Sequence, residues 1–119
     1  MFEKLTRTAG PGSDLAAMAQ GLDWALMLQA DDHDTAVTIR DGAVMQVTSG
    51  PFVLPSWQTR LSASADEWAA FLQPVPKPGH HDIIALLRRG AIRFDGDLHP
   101  LMAHLYYVKR LLASLRAAE

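Results

Sequence analysis

Cysteine is absent from the 119 residues, which excludes disulfides, zinc–thiolate centres and thiol nucleophiles. That lack fits a reducing compartment, and a cytoplasmic location is the expectation. No apolar run approaches the ~20 residues of a membrane span, so no integral membrane segment is expected. The amino terminus, Met-Phe-Glu-Lys-Leu-Thr-Arg, has no signal-peptide h-region. The carboxyl end, Arg-Ala-Ala-Glu, is no Ser-Lys-Leu-type peroxisomal address. Neither sign of charge dominates: 11 Lys and Arg against 13 Asp and Glu leave −2, no reason to expect a nucleic-acid partner. Internal repeats and low-complexity segments are missing too. So is a phosphate loop, since Gly90 and Gly96 stand in a Gly-x5-Gly spacing with no Lys-Ser or Lys-Thr after them. Ser62 and Ser64 sit in no nucleophile elbow. What remains is 49% hydrophobic and 20% charged, the composition of one globular domain across residues 1–119. A chain of this length can bury roughly two-thirds of its unfolded surface.

The rest of the chain is organised around Gly90 to Leu115. Ala91-Ile92-Arg93-Phe94 has strand content, and Asp95-Gly96-Asp97 stops it, with Gly96 free to take a positive φ. Asp97 is placed as a helix N-cap and Pro100 falls in the first turn, where a missing N–H costs nothing. Leu101, Leu105, Val108, Leu112 and Leu115 then recur at steps of four, three, four and three, with Leu98 and Met102 on the same side. This predicts one helix with an apolar stripe about five turns long.

Upstream, Gly10-Pro11-Gly12 breaks any helix begun at Phe2, and Ser13 caps a short helix from Asp14 to about Gln20 with Leu15 and Met18 inward. Periodicity leaves Leu22 to Gln29 open between helix and strand. The acidic turn Asp31-Asp32-His33-Asp34 closes it within a strand's length, and strand is the reading adopted. Thr35–Arg40 and Ala43–Thr48 flank Asp41-Gly42, a hairpin signal because both loop residues need positive φ. Val37 and Ile39 should face the core, opposite Met45 and Val47 or Val44, depending on register. Pro55 keeps Phe52-Val53-Leu54 from being a central strand. A fourth strand follows with Trp57, Thr59, Leu61 and Ala63 on one face.

Ser64-Ala65-Asp66-Glu67 reads as a capping box opening a helix with Trp68, Phe71 and Leu72, ended by Pro74. Pro74 to Gly79 is a stiff connector. The next helix, about His81 to Arg89, carries Ile83, Ile84, Leu86 and Leu87 on more than one face, which predicts burial on two sides, with Gly90 as its C′ residue. No helix separates the first four strands, so they suggest an antiparallel meander. The expected class is α+β: a five-stranded, largely antiparallel sheet covered on one face by helices.

Three clusters invite chemistry. His80-His81-Asp82 could offer a metal ligand only if the fold brings it beside His99, since His99 and His104 lie roughly 140° apart around a helix. Asp82, Asp95 and Asp97 could pair as acid and base, although a turn residue and an N-cap already account for Asp95 and Asp97. Arg88, Arg89 and Arg93 could hold an anionic head group, or simply pair with those carboxylates. No cofactor, metal or catalytic residue is expected. Met18, Met27, Met45 and Met102 add pliable side chains of the kind adaptable cavities use.

Ala91-Ile92-Arg93-Phe94-Asp95-Gly96-Asp97-Leu98 resembles the strand-Gly-Asp-helix pattern of the sterol carrier protein type 2 family. The Val-x-Ile-x-Asp-Gly hairpin (Val37 to Gly42) and the step from Leu61 through Ser-Ala-Ser-Ala-Asp to Trp68 are similar to that family too, so the likeness spans about residues 22–115. It implies a domain with an apolar tunnel between sheet and helices. Members bind sterols, fatty acyl chains or other lipids without chemistry of their own, and many are fused to larger enzymes. Two departures stand out: the missing peroxisomal signal, which points to a bacterial-style stand-alone member, and the Pro74–His81 insert, which could reshape the tunnel mouth. The family supplies no invariant ligand contacts. The expected ligand-binding residues therefore come from helical faces: Phe71, Leu72, Ile84, Leu87, Leu101, Met102, Leu105, Val108 and Leu112. The expected partner is an apolar small molecule. The competing expectation is an interaction domain, a homodimer or an enzyme's accessory, docking through Tyr106, Tyr107 and Val108.

Overall fold

In the computed structural model, which describes residues 1–53 and 56–116, Asp41 and Gly42 have φ of 50° and 80°. They close a hairpin between β2 (His33–Arg40) and β3 (Ala43–Ser49). A register shift between Thr38 and Ile39 settles the pairing: Val37 meets Val47, whereas Ile39 meets Val44. Met45 is the extra residue of this bulge and is exposed, so it leaves the core expected for it. β1 (Trp24–Ala30) joins β2 through a second two-residue turn, Asp31-Asp32, with Asp31 at φ 54°. His33 and Asp34 thus belong to β2 and not to a longer acidic turn.

The sheet order is β3-β2-β1-β4-β5, where β4 is Thr59–Ala63 and β5 is Ile92–Gly96. β4 lies parallel to β1, which corrects the expected meander of four antiparallel strands; the other three pairings are antiparallel. Parallel neighbours need a crossover, usually a helix. Here the chain makes it between β3 and β4 with no helix among the described residues, which is why the missing helix misled. Phe52 and Val53 are in no strand, while Leu54 and Pro55, on which part of that expectation rested, lie outside the described residues.

Alternation puts Trp24, Leu26, Leu28, Val37, Ile39 and Leu61 on one sheet face, all in the core cluster with the helices. Met27 is equally buried but points to the opposite face, apart from that cluster. Six short helices cover the first face: α1 (Leu5–Thr8), α2 (Asp14–Met18), α3 (Ala65–Phe71), α4 (Ile83–Arg88), α5 (His99–Ala103) and α6 (Leu105–Ala113). Ser13 and Ser64 cap α2 and α3 by accepting from Ala16 N and Glu67 N, each at 3.1 Å. The capping box is only half formed, because the Glu67 carboxylate binds Arg89 and His80 instead of reaching back. Leu15 and Ala16 are the buried side of α2, and Met18 is exposed. α4 ends in a Schellman motif: Gly90, at φ 71°, donates to Leu87 O and Ala91 donates to Leu86 O. Ile83 and Leu86 are its buried residues; Ile84 is half-buried and Leu87 exposed, so the helix packs by one side.

The long carboxy-terminal helix is two helices. Its chain breaks at His104 (φ −121°, ψ 33°), between α5 and α6. Asp97 does accept the His99 N–H at 3.0 Å, from one position before the N-cap Leu98. Thr59, the buried polar residue of the sheet, ties this turn down: Trp24 Nε1 donates to its hydroxyl at 3.0 Å, and the hydroxyl donates to Asp97 O at 2.5 Å.

Candidate functional site

The nine residues expected to line a site between sheet and helices lie on or beside α3 to α6. Phe71, Leu101, Val108 and Leu112 are buried in the core cluster. Leu72, Ile84 and Leu105 are partly buried and pack against it, and Leu87 and Met102 are exposed. The break at His104 turns the buried side of α6 toward Tyr107 and Leu111, two residues outside the expected stripe, and leaves Leu105 only half covered. A pair-wise rhythm, Tyr107-Val108 and Leu111-Leu112 followed by Leu115, was the available signal for it.

Of the three residues expected to dock a partner, only Tyr106 is exposed, at 65%. Val108 is core, and buried Tyr107 donates its hydroxyl to Gly42 O at 2.8 Å, tying α6 to the β2–β3 turn. Burial pushes the Tyr107 phenol up to about 12 from 10.0. A phenol that ionises later in the fold than in the open chain favours the fold at neutral pH, and that preference fades as pH climbs from about 10 toward 12. Urea midpoints measured across that alkaline range should therefore fall in the wild type. Tyr107→Phe should remove this part of the slope, at a cost near neutrality of about 1 kcal/mol for the lost hydrogen bond.

The connector from Pro74 to Asp82 is a strap held at Gly79, His80 and His81. Arg89 Nε donates to Gly79 O at 2.9 Å, and its Nη2 lies 2.7 Å from Glu67 Oε2, which also faces His80 Nδ1 at 3.1 Å. The Arg89 hydrogen bond holds the Glu67 carboxyl below its ordinary range, with a weaker opposing push from burial. Beyond α6, Arg116 donates to Phe71 O at 2.9 Å and His81 O at 2.7 Å and stacks over the Phe71 ring. Asp82 accepts from Ala85 N at 2.9 Å, capping α4, and sits 3.6 Å from Lys109 Nζ. Burial raises the Asp82 carboxyl, but that cap, Lys109 and His81 together outweigh it, so the net displacement is downward.

These partners also place the candidate chemistry. His80 faces Glu67 and Arg89, while His81 faces Asp82 at 3.9 Å. Asp95 pairs with Arg93 at 2.8 Å, and Asp97 serves the α5 turn. Among the described residues no hydrogen bond or ion pair joins Asp82 to Asp95 or Asp97, and no three of His, Asp and Glu converge as metal ligands would. No helix among them is long and apolar enough to cross a membrane.

Five hollows are prominent on the described surface. One of about 490 Å³ lies between α2 and the β2–β3 hairpin. Another, about 370 Å³, lies between α4 and α6, lined by His81, Asp82, Ile84, Ala85, Arg88 and Lys109 among others. Ile84 is the one expected ligand-binding residue that lines any of the five.

No protein-family model matches the sequence, and no curated protein matches it significantly. Solved structures do match. A crystal structure of sterol carrier protein 2 superposes with a TM-score of 0.76 at 14% identity, covering 97% of this chain and 92% of that one. The fold is that of sterol carrier protein 2. The apo form of sterol carrier protein 2 from Yarrowia lipolytica is also similar (TM-score 0.59, 10% identity, 98% of this chain and 88% of that one). The stereoselective inverting sec-alkylsulfatase of a Pseudomonas species carries the fold as well: 99% of this chain matches, with TM-score 0.62 and 17% identity, but only 16% of the sulfatase is covered. At these identities the likeness is one of fold. It extends to chains covered almost whole and to a small part of a much longer one.

Proposed function

We propose that this protein holds an apolar small molecule, of lipid, fatty-acyl or sterol-like character, between its sheet and its helical layer, and performs no chemistry on it. The supporting observation is the near end-to-end match to sterol carrier protein 2, in which both chains are covered almost completely. In this reading the ligand meets the nine residues named from the helical faces. Phe71, Leu101, Val108 and Leu112 form its inner wall, and Leu72, Ile84, Leu87, Met102 and Leu105 stand nearer the entrance. Those first four are buried, so loading requires α5 and α6 to shift from the sheet. The break at His104 divides that cover into helices of five and nine residues that can move separately. Burying apolar surface at ~25 cal/mol per Å² gives an acyl-sized ligand several kcal/mol, from which the opening and ordering costs are subtracted. The Pro74–Asp82 strap sits where those costs can be tuned. Native mass spectrometry of protein purified from cells, followed by titration with fluorescent acyl and sterol probes, tests the reading. Retained lipid or saturable uptake is expected; a consistently empty protein that takes up neither probe counts decisively against it.

A second reading has its own observation. Leu101, Val108, Leu112 and Leu115 of the stripe are buried in the core cluster, and the same fold forms a small part of the sec-alkylsulfatase. An accessory interaction domain, with the cavity vestigial, fits those facts. Solution scattering separates the two, since a probe-binding monomer supports carriage and a probe-inert dimer supports association.

A further inference from the structure

β5 is one edge of the sheet, next to β4 alone. On β4, Ala63 O accepts from Asp31 N on the β1 side, so Arg60 and Ser62 turn their backbone groups the other way, to β5. Their partners there are Asp95 and Arg93, in step with the bond from Asp97 N to Gln58 O. Alternation then points the N–H and C=O groups of Ile92, Phe94 and Gly96 away from the sheet. Among the described residues no other backbone group bonds to those three.

The two edges of the sheet differ. At the β3 edge, Val44 N donates to Ala9 O at 2.8 Å, and a register shift at Thr38/Ile39 interrupts the strand pair. β5 keeps one register from Ile92 to Gly96, with none of the Lys, Pro or bulge that guard an edge. Its outer face carries Arg93, with a side chain 67% exposed, and Asp95, joined along their own strand at 2.8 Å. That pair leaves capacity unused. Asp95 meets both Arg93 and Arg60 through Oδ2, and among the described residues neither Asp95 Oδ1 nor the two Nη groups of Arg93 has a partner.

We propose that β5 pairs antiparallel with β5 of a second copy, joining two five-stranded sheets edge to edge about a two-fold axis at Phe94. Such a pairing makes hydrogen bonds only where outward-facing residues meet. The register centred on Phe94 achieves this along the whole strand, with Phe94 opposite itself and Ile92 opposite Gly96. The same register sets Arg93 opposite Asp95 of the second copy, twice, where opposite charges stabilise a cross-strand pair. Phe94, half-buried against its own core, gains a second Phe94 beside it. Any free strand could take the hydrogen bonds, but the charge order of β5 is complementary to itself. The pairing uses neither the apolar stripe nor Tyr106, so it is independent of what the interior holds.

Two five-residue strands cover well under ~1,200 Å², the low end of specific interfaces, so association is expected at roughly 0.1 mM protein. Sedimentation equilibrium up to about tenfold above that concentration tests it. Arg93→Asp sets carboxylate against carboxylate, and Asp95→Arg sets guanidinium against guanidinium, so each alone should raise the dissociation constant at least about tenfold. An equimolar mixture of the two variants restores opposite charges at every position and should associate as the wild type does. Arg7→Asp, a reversal of the same size elsewhere, should change nothing. Amide exchange in the wild type gives a second readout that needs no variant: the Phe94 amide should slow as protein concentration rises. A wild type that stays monomeric throughout overturns the proposal. So does a mixture no better than its components, a dimer that both variants leave intact, or a Phe94 amide indifferent to concentration. Probe uptake on the same samples reports on carriage separately. A dimer that takes up probe supports both readings, a dimer without uptake removes only the carrier, and a monomer with uptake removes only this pairing.

Discussion

Gly96→Val should cost about 3–5 kcal/mol, a large share of the 5–15 kcal/mol that holds a typical domain together. Two separate penalties combine. Gly96 has φ of 88°, where a β-branched residue is strongly disfavoured. A Cβ there would also collide with the Gln58 carbonyl oxygen and approach the Trp57 ring to 2.7 Å. Gln58 O cannot retreat freely, because it accepts the Asp97 N–H at 2.7 Å and the next residue, Thr59, pairs with Gly96 in the sheet. Gly90→Ala is the matched comparison. Its φ of 71° is similarly left-handed, but a Cβ there meets nothing within 4 Å, so only about 1 kcal/mol should be lost. Urea midpoints for both variants measure the difference. If the two fall equally, the close approach of β4 to the end of β5 contributes nothing, and the glycine is there for its backbone angle alone.

That comparison explains why the Gly-Asp landmark was legible. Gly96 and Asp97 are required by contacts within a few ångströms, as are the Asp41-Gly42 turn, the Ser13 and Ser64 caps and the Gly90 terminus, and local chemistry of that kind leaves its mark in residue type. The turn at Asp31-Asp32 was partly hidden, because an aspartate held at positive φ looks like any acidic loop. The parallel placement of β4 left no local mark at all. It depends on which edge the chain chooses after β3, and nothing in a helix-free connection names that edge. The break at His104 is hidden for the same reason, since neither Gly nor Pro stands there. Instead α6 is held by Tyr107 to Gly42, across 65 residues of sequence, and the chain yields between that anchor and the Thr59–Asp97 bond. The candidate site falls between these cases. Periodicity named Phe71, Leu101, Val108 and Leu112, which are buried, but also Leu87 and Met102, which are exposed, and it missed Tyr107 and Leu111. Whether a space exists between the buried ones depends on how they interlock, which no spacing encodes.

Leu112→Ala addresses that space directly. Leu112 is fully buried in the core cluster, so the truncation should cost about 2–5 kcal/mol, the price of a lost side chain and the cavity left behind. Leu105→Ala, at a half-covered position, should cost less than about 2 kcal/mol, because solvent and neighbours can fill its place. The informative quantity is how probe binding moves with each. If an apolar ligand enters by parting α6 from the sheet, the void at Leu112 is already part of the opening. Its truncation should then strengthen or re-select probe binding while the urea midpoint falls. Stability and affinity would move in opposite directions. Because a truncation can also open a new cavity in a solid core, the deciding comparison is whether the wild type already binds the probe and the variant shifts that affinity instead of creating one. Titration of acyl and sterol probes against wild type, Leu112→Ala and Leu105→Ala, with urea melts on the same preparations, reads both quantities. A full core penalty at Leu112 with unaltered probe affinity would remove it from the ligand wall and leave the stripe as ordinary packing.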